Sequence, residues 1–186
     1  TTYAKEIFKL KGCNSKILKK DGSRIKPNQT IMTITGNAEK ILMCERTALN
    51  LLTRMSGIAT QTNELVKKIP KKVKLYATRK TAPGLRYFDK EAVEIGGGEK
   101  HRLRLDEMVM IKDNHIAYAG GLEAALTAAK AGKSHSIKIE VEVDTLDQLK
   151  ELINLGGADI VLLDNMTGET LTKAVSMVKA SGLNMV

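Results

Sequence analysis

Tryptophan is missing from the 186 residues, and two Phe and four Tyr are the only other aromatics. Single-stranded nucleic acid is normally held by stacking bases on aromatic platforms, so this scarcity argues against that class of partner. Cysteine is also scarce: Cys13 and Cys44 stand alone, without a CxxC and without histidine at ligand spacing. Neither a disulfide framework nor a structural zinc site is written here, and two reduced thiols are expected. No apolar run approaches the ~20 residues that a membrane-spanning helix needs, and no charged-then-apolar leader opens the chain. The expectation is a soluble intracellular protein that neither enters a membrane nor binds nucleic acid.

What is present begins with charge. Thirty basic against 21 acidic residues leave a net +9, an excess suited to anionic partners such as nucleic acid, anionic lipid or a small polyanionic substrate. Many lysines, including Lys67-Lys68 and Lys71-Lys72, lie in mixed-charge stretches that read as solvated faces. Apolar residues make up 42%, enough for a buried core. The chain opens on Thr1 and stops at Asn184-Met185-Val186, where an apolar strand is starting. An internal stretch of a longer protein is expected.

The first third is patterned differently from the rest. Residues 4–10 read as the end of a helix closed by Gly12. Ser15-Lys20 and Thr30-Thr35 read as short strands, with a turn at Asp21-Gly22; Met32 and Ile34 face one way, Ile31, Thr33 and Thr35 the other. A helical stretch from about Ala38 to Ile69 carries Leu42, Leu49, Leu52 and Met55 as an apolar stripe. Ser56-Gly57 is expected to break it in two, since an interior glycine costs about 1 kcal/mol against alanine.

From Lys72 onward strands and helices alternate. Strand-like runs fall at Val73-Ala77, Met108-Ile111, Ile137-Val143, Ile160-Leu163 and from Met185. Helical patterns fall at Leu85-Ile95, Leu122-Ala131, Leu146-Leu155 and Leu171-Ala180. This alternation predicts an α/β fold of parallel strands joined by right-handed crossovers, either a doubly wound sheet or a β/α barrel. No GxGxxG follows a strand, so dinucleotide binding has little support.

Four of these strands end in chemically useful residues: Thr78-Arg79-Lys80, Lys112-Asp113-Asn114-His115, Glu140 and Glu142 with Asp144, and Asp164-Asn165. Ligands of parallel β/α folds sit at the carboxyl ends of strands, so one active site explains the four economically. Taken singly, each is equally readable as a loop salt bridge or a helix cap. In Lys138-Ile139-Glu140-Val141-Glu142-Val143 the charged residues share one face. If that face points inward its carboxylates need partners, for which Lys80 and Lys112 are candidates; an edge strand with a solvated face is the alternative. Glu99-Lys100-His101-Arg102, alone, reads as a solvated loop. Joined to Arg79, Lys80 and Lys112 it suits a ligand bearing carboxylates and phosphates, with a Mg²⁺ that the acids help to hold.

Six segments in order carry a resemblance to a known family. They are Glu45-Arg46-Thr47-Ala48-Leu49-Asn50 with Ser56-Gly57-Ile58-Ala59-Thr60; Thr78-Arg79-Lys80-Thr81-Ala82-Pro83-Gly84-Leu85-Arg86; and Ala92-Val93 through Gly96-Gly97-Gly98 to His101-Arg102. Ile111-Lys112-Asp113-Asn114-His115, Glu140-Val141-Glu142-Val143 and Leu163-Asp164-Asn165 complete the series. With these, essentially the whole chain resembles the quinolinate phosphoribosyltransferases, carboxylating pyrophosphorylases of NAD synthesis.

The resemblance implies a cytoplasmic enzyme in which the quinolinate nitrogen attacks phosphoribosyl pyrophosphate, pyrophosphate leaves, and the 2-carboxylate departs as CO₂. It places Thr78, Arg79, Lys80, His101, Arg102 and Lys112 among the substrate-binding residues, with Arg79, His101, Arg102 and Lys112 lining the quinolinate pocket. Arg46 would reach that pocket from the partner subunit of a homodimer. Lys80 would sit near the pyrophosphate or the carboxylate to be lost. Glu142 and Asp164 match the family's ribose- and metal-side acids, indirectly holding Mg²⁺, with Glu140 a second choice. Lys80, Lys112, Glu142 and Asp164 form the implied catalytic set. The implied architecture is part of an α/β sandwich over residues 1–49, then an incomplete β/α (TIM-like) barrel over 50–186. The family's Ser-Gly-Gly phosphate loop is expected beyond Val186, and the first helix and strands of the sandwich before Thr1. The chain as written is therefore expected to bind phosphoribosyl pyrophosphate poorly. Two other readings are a molybdenum-operon paralogue with a changed substrate and a basic nucleic-acid-binding module. The cationic set Arg46, Arg79, His101, Arg102 and Lys112 speaks against the first, and the missing aromatics and βα framework against the second.

Overall fold

The computed structural model describes residues 1–181, which fall into two compact units, Thr1–Leu103 and the stretch from Arg104 on. The anticipated strand from Met185 lies outside the described residues. The fold is mixed α/β, with helices and parallel sheets. Among the described residues, no helix is long and apolar enough to cross a membrane.

In the first unit, helix α1 (Thr2–Leu10) is followed by Gly12 at φ 74, whose N–H is donated to the Lys9 carbonyl. Strands β1 (Asn14–Ile17) and β2 (Met32–Thr35) form an antiparallel pair. Met32 and Ile34 pack on a small core of Ala4, Phe8, Cys13, Cys44 and Ala48, so the alternation along β2 is as anticipated. Both cysteines are free and buried in this core.

Asn37 caps the next helix, its side-chain oxygen accepting the Lys40 N–H, and α2 then runs unbroken over 29 residues, Ala38–Val66. This corrects the expected break at Ser56-Gly57. The glycine penalty of about 1 kcal/mol is local, whereas packing of the whole face that carries Met55 and Thr62 is cooperative. The anticipated apolar stripe is corrected in part. Met55 is buried and Leu52 packs on the small core, but Leu42 is 69% and Leu49 42% exposed, and Cys44, Ala48 and Thr62 complete the buried side. Spacings of four and seven keep Cys44, Ala48, Met55 and Thr62 on one face, and Leu42 and Leu49 fall well outside it.

Parallel structure starts with β3 (Tyr76–Ala77), only two residues of the run expected at 73–77. Helix α3 (Arg86–Ile95) and the Gly96-Gly97-Gly98 turn lead into β4 (Glu99–Lys100), which pairs parallel with β3 in the register Tyr76↔Glu99 and Ala77↔Lys100. The glycine run is a packing device. A Cβ on Gly96 would lie 2.5 Å from the Ala59 carbonyl oxygen of α2, and one on Gly98 2.7 Å from Val93. Only glycine lets the chain pass this close to α2 and α3.

The second unit is a parallel sheet of order β5-β6-β7, comprising Val109–Ile111, Ile139–Val143 and Ile160–Leu163. Among the described residues it also carries a short 3-10 turn (Leu105–Glu107) and helices α4 (Asp113–Ala119), α5 (Leu122–Gly132), α6 (Leu146–Leu155) and α7 (Gly168–Ala180). Its core contains Leu126, Ile139, Val141, Val143, Leu149 and Leu152, each no more than 2% exposed. Each such aliphatic side chain contributes roughly 1.5–3 kcal/mol by leaving water. β6 lies between β5 and β7, which removes the edge-strand reading. Helix α4 and the strand β4 are elements that sequence reasoning overlooks, because both are short and α4 opens on three polar residues.

Candidate active site

Two groups of strand ends hold the candidate residues, one in each unit. In the first unit, the parallel register of β3 and β4 puts Thr78-Arg79-Lys80 and His101-Arg102 at the same carboxyl ends. The Thr78 hydroxyl accepts the Lys80 N–H at 3.1 Å, and the Arg79 carbonyl accepts the Thr81 N–H at 2.9 Å, forming a tight bend. Lys80 is exposed and Arg79 half-buried. The Nε of Arg79 is buried without a protein acceptor. His101 meets Tyr76 edge-on, with ring centroids 6.1 Å apart. The solvated-loop reading of 99–102 is thus corrected: Glu99 and Lys100 form a paired strand, and His101-Arg102 continues from it.

Helix α3 supports this bend. Asp89 accepts a bidentate pair from Arg54 (2.7 and 2.8 Å) and the Ala82 N–H at 3.3 Å. Hydrogen bonding from the Arg54 guanidinium, opposed by burial and aided by the Ala82 N–H, holds the Asp89 carboxyl below the usual aspartate range. Lys90, 1% exposed, donates to the Ala77 carbonyl at 2.8 Å and the His101 carbonyl at 3.1 Å. Thr78, Lys80, Arg54, Asp89 and Lys90 all line a cavity of about 270 Å³.

In the second unit, register again does the placing. Ile111 pairs with Val141 and Val143 with Leu163, so Lys112, Glu142 and Asp164 fall at the carboxyl ends of three adjacent strands. Lys112 and Glu142 form an ion pair, Glu142 being mostly buried. Of the two lysines expected to answer the β6 carboxylates, Lys112 is thus one that does. Glu140, two residues earlier on the same face, is 2% exposed. Lys112 is also the N-cap of α4, its N–H donated to His115 Nδ1 at 3.0 Å. The side-chain nitrogen of Asn165 is donated to Asp144 and to Asp164, both at 3.2 Å, from a left-handed backbone (φ 53) that asparagine tolerates. Arg46 lies exposed on α2.

Sequence reasoning misses Arg54, Asp89 and Lys90. Arg54 is one charge on the long helix α2, and Asp89-Lys90 is a charged pair inside the short helix α3; both are indistinguishable by pattern from a solvated face.

Comparison with known proteins decides the family. The model for the quinolinate phosphoribosyl transferase C-terminal domain matches residues 58–186, and that for the N-terminal domain matches residues 1–56. The chain belongs to the quinolinate phosphoribosyl transferase family. A relative from Archaeoglobus fulgidus, named a "probable nicotinate-nucleotide pyrophosphorylase (carboxylating)", is 47% identical over 168 residues, 89% of this chain and 64% of its own length. One from Bacillus subtilis with the same name is 42% identical over 187 residues, 96% of this chain and 64% of its own. The structure of the nicotinate-nucleotide pyrophosphorylase from Francisella tularensis superposes with a TM-score of 0.88 at 42% identity, covering 96% of this chain and 64% of that one. The chain therefore spans less than two thirds of the length of these quinolinate phosphoribosyl transferase relatives.

Proposed function

We propose that the full-length protein transfers the phosphoribosyl group of phosphoribosyl pyrophosphate to quinolinate with decarboxylation. The products are nicotinate mononucleotide, pyrophosphate and CO₂, as a step of NAD synthesis in the cytoplasm. The observation that carries this reading is the β3–β4 register, which gathers Arg79, Lys80, His101 and Arg102 at one pair of strand ends. Quinolinate is a flat ring with two adjacent carboxylates. Arginine forks bind such groups bidentately, and fixed cations at set angles select two carboxylates over one.

The chemistry runs in two stages. The ring nitrogen bonds to the anomeric carbon as its bond to the pyrophosphate oxygen breaks and pyrophosphate leaves with the electron pair. The bond to the 2-carboxylate then breaks, CO₂ leaves, and the ring carbon keeps the pair and takes a proton. Positive charge develops on the ribose in the first stage, where carboxylates are useful. We assign that role to Glu142 and Asp164, with Lys112 holding Glu142 in place and available to an incoming anion.

Among the described residues no three His, Cys, Asp or Glu gather as a metal cage. The carboxylates of Glu142 and Asp164, at the ends of adjacent strands, nevertheless suit Mg²⁺, which prefers one or two protein oxygens together with water and substrate phosphate. Bound there, Mg²⁺ would neutralise charge on the departing pyrophosphate.

Arg46 shares a face of α2 with the exposed Leu42 and Leu49, and we assign this face to a second copy of the chain, with Arg46 serving the partner's substrate. The strand–helix alternation from β3 onward supports an incomplete β/α barrel over residues 50–186, preceded by part of an α/β sandwich over 1–49. The test supplies full-length protein, phosphoribosyl pyrophosphate, Mg²⁺ and quinolinate labelled in the 2-carboxylate. One labelled CO₂ per nicotinate mononucleotide is expected, and nucleotide formed with the label retained would refute the reaction.

A further inference from the structure

Lys90 is almost fully buried, yet its space could be filled by an apolar side chain without the cost of burying a polar head. Packing alone thus does not account for an amino group there. Its Nζ donates to the carbonyl of Ala77, the last residue of β3, and to that of His101, the first residue after β4. These two carbonyls lie where the chain leaves the sheet toward Arg79 and toward Arg102. β3 and β4 share two paired positions, so the ties of Lys90 act where that short ladder ends and the two segments depart. The preceding residue, Asp89, holds the far side of the same bend through the Ala82 N–H and is itself locked by Arg54. Consecutive residues of α3 therefore grip the 78–81 bend at both ends.

We infer that Lys90 is a positioning residue for quinolinate: by tying the Ala77 and His101 carbonyls it sets the spacing of Arg79 and Arg102, and so selects a ligand with two adjacent carboxylates. The inference rests on the proposed function and assigns Lys90 no contact with the ligand. Misplacing a binding group by about 1 Å can cost about 100-fold, so the effect of cutting this tie is large but confined to one substrate.

The test compares the full-length wild type with Lys90→Met, which keeps the length and loses the donor. Three readings are taken: amide hydrogen exchange by mass spectrometry, quinolinate affinity and phosphoribosyl pyrophosphate affinity. In Lys90→Met, exchange should quicken over residues 76–82 and 99–103 only. Quinolinate should bind about 30-fold more weakly, with phosphoribosyl pyrophosphate affinity held within about threefold. Unchanged exchange in those two segments would overturn the inference, as would equal loss of both affinities, which marks a merely structural role. Should Lys90→Met not fold, Lys90→Gln, which retains a neutral donor, decides by the same readings. About fivefold weaker quinolinate binding is then expected, and an affinity equal to the wild type's overturns the inference. If the wild type itself fails to bind quinolinate, the proposed function falls, while the exchange pattern still reports whether Lys90 ties the two segments.

Discussion

In the first unit, Arg79 and Arg102 follow strands of two residues each, held at their ends by side chains of α3. In the second unit, Lys112, Glu142 and Asp164 belong to a three-stranded parallel sheet over a core in which Ile139, Val141, Val143, Leu149 and Leu152 are wholly buried. Strand ends can thus be fixed by a few directional polar ties or by many undirected apolar contacts. The first way sets angles between individual charged groups; the second fixes spacing between strands and resists local change. On the proposed function, a ligand recognised by two carboxylates needs the former, and a site that steadies developing charge and a phosphate-bound cation is well served by the latter.

The sharpest way to break this contrast is to attack the apolar core. Leu152→Ala should destabilise the protein by about 2–5 kcal/mol in a denaturant titration, because the removed methyls leave a cavity in a packed sheet–helix interface. A loss below about 1 kcal/mol would mean that the second unit does not lean on its core. Next in size, Asp164→Asn should lower kcat roughly 100-fold while leaving quinolinate affinity unchanged, since in the proposed function the lost charge acts on the reacting ribose and its metal. The reverse pattern in steady-state kinetics would move Asp164 to the pyridine side.

The smallest effect concerns the polar ties. The carboxyl of Asp89 titrates lower in the folded chain than in the unfolded one, chiefly because Arg54 donates to it. Its contribution to stability is therefore complete above the ordinary aspartate value of about 3.9 and is lost as pH falls from there through the depressed folded value. Asp89→Asn should flatten that acid limb of a thermal-melting profile and leave the neutral-pH slope alone. An unaltered acid limb would show that the Arg54–Asp89 pair adds nothing to folding.

How far each region was legible follows from the same contrast. Core-packed elements announce themselves: β7 at Ile160–Leu163 and α6 at Leu146–Leu155 have the expected boundaries, because their apolar period is their structure. The short polar elements do not. β4 consists of Glu99 and Lys100, and α4 opens on Asp113-Asn114-His115, so periodicity has nothing to read. Hydropathy draws the α2 stripe toward Leu42 and Leu49, which outweigh the small Cys44 and Ala48, whereas the buried face takes the small residues beside Met55. The candidate cations were visible as residue types at strand ends. Their supports were not, since Lys90 and Asp89 act on backbone groups that no side-chain pattern encodes.

The most direct measurement is a calorimetric titration of the full-length protein with quinolinate and, separately, with nicotinate, which lacks the 2-carboxylate. It is run on the wild type and on Arg102→Ala. Wild type should favour quinolinate by at least about 100-fold, the value of one well-paired carboxylate, and Arg102→Ala should lose most of that preference without a shift in melting temperature. Equal affinity for the two acids in the wild type, or an undiminished preference in Arg102→Ala, would contradict recognition of a dicarboxylate at the β3 and β4 strand ends.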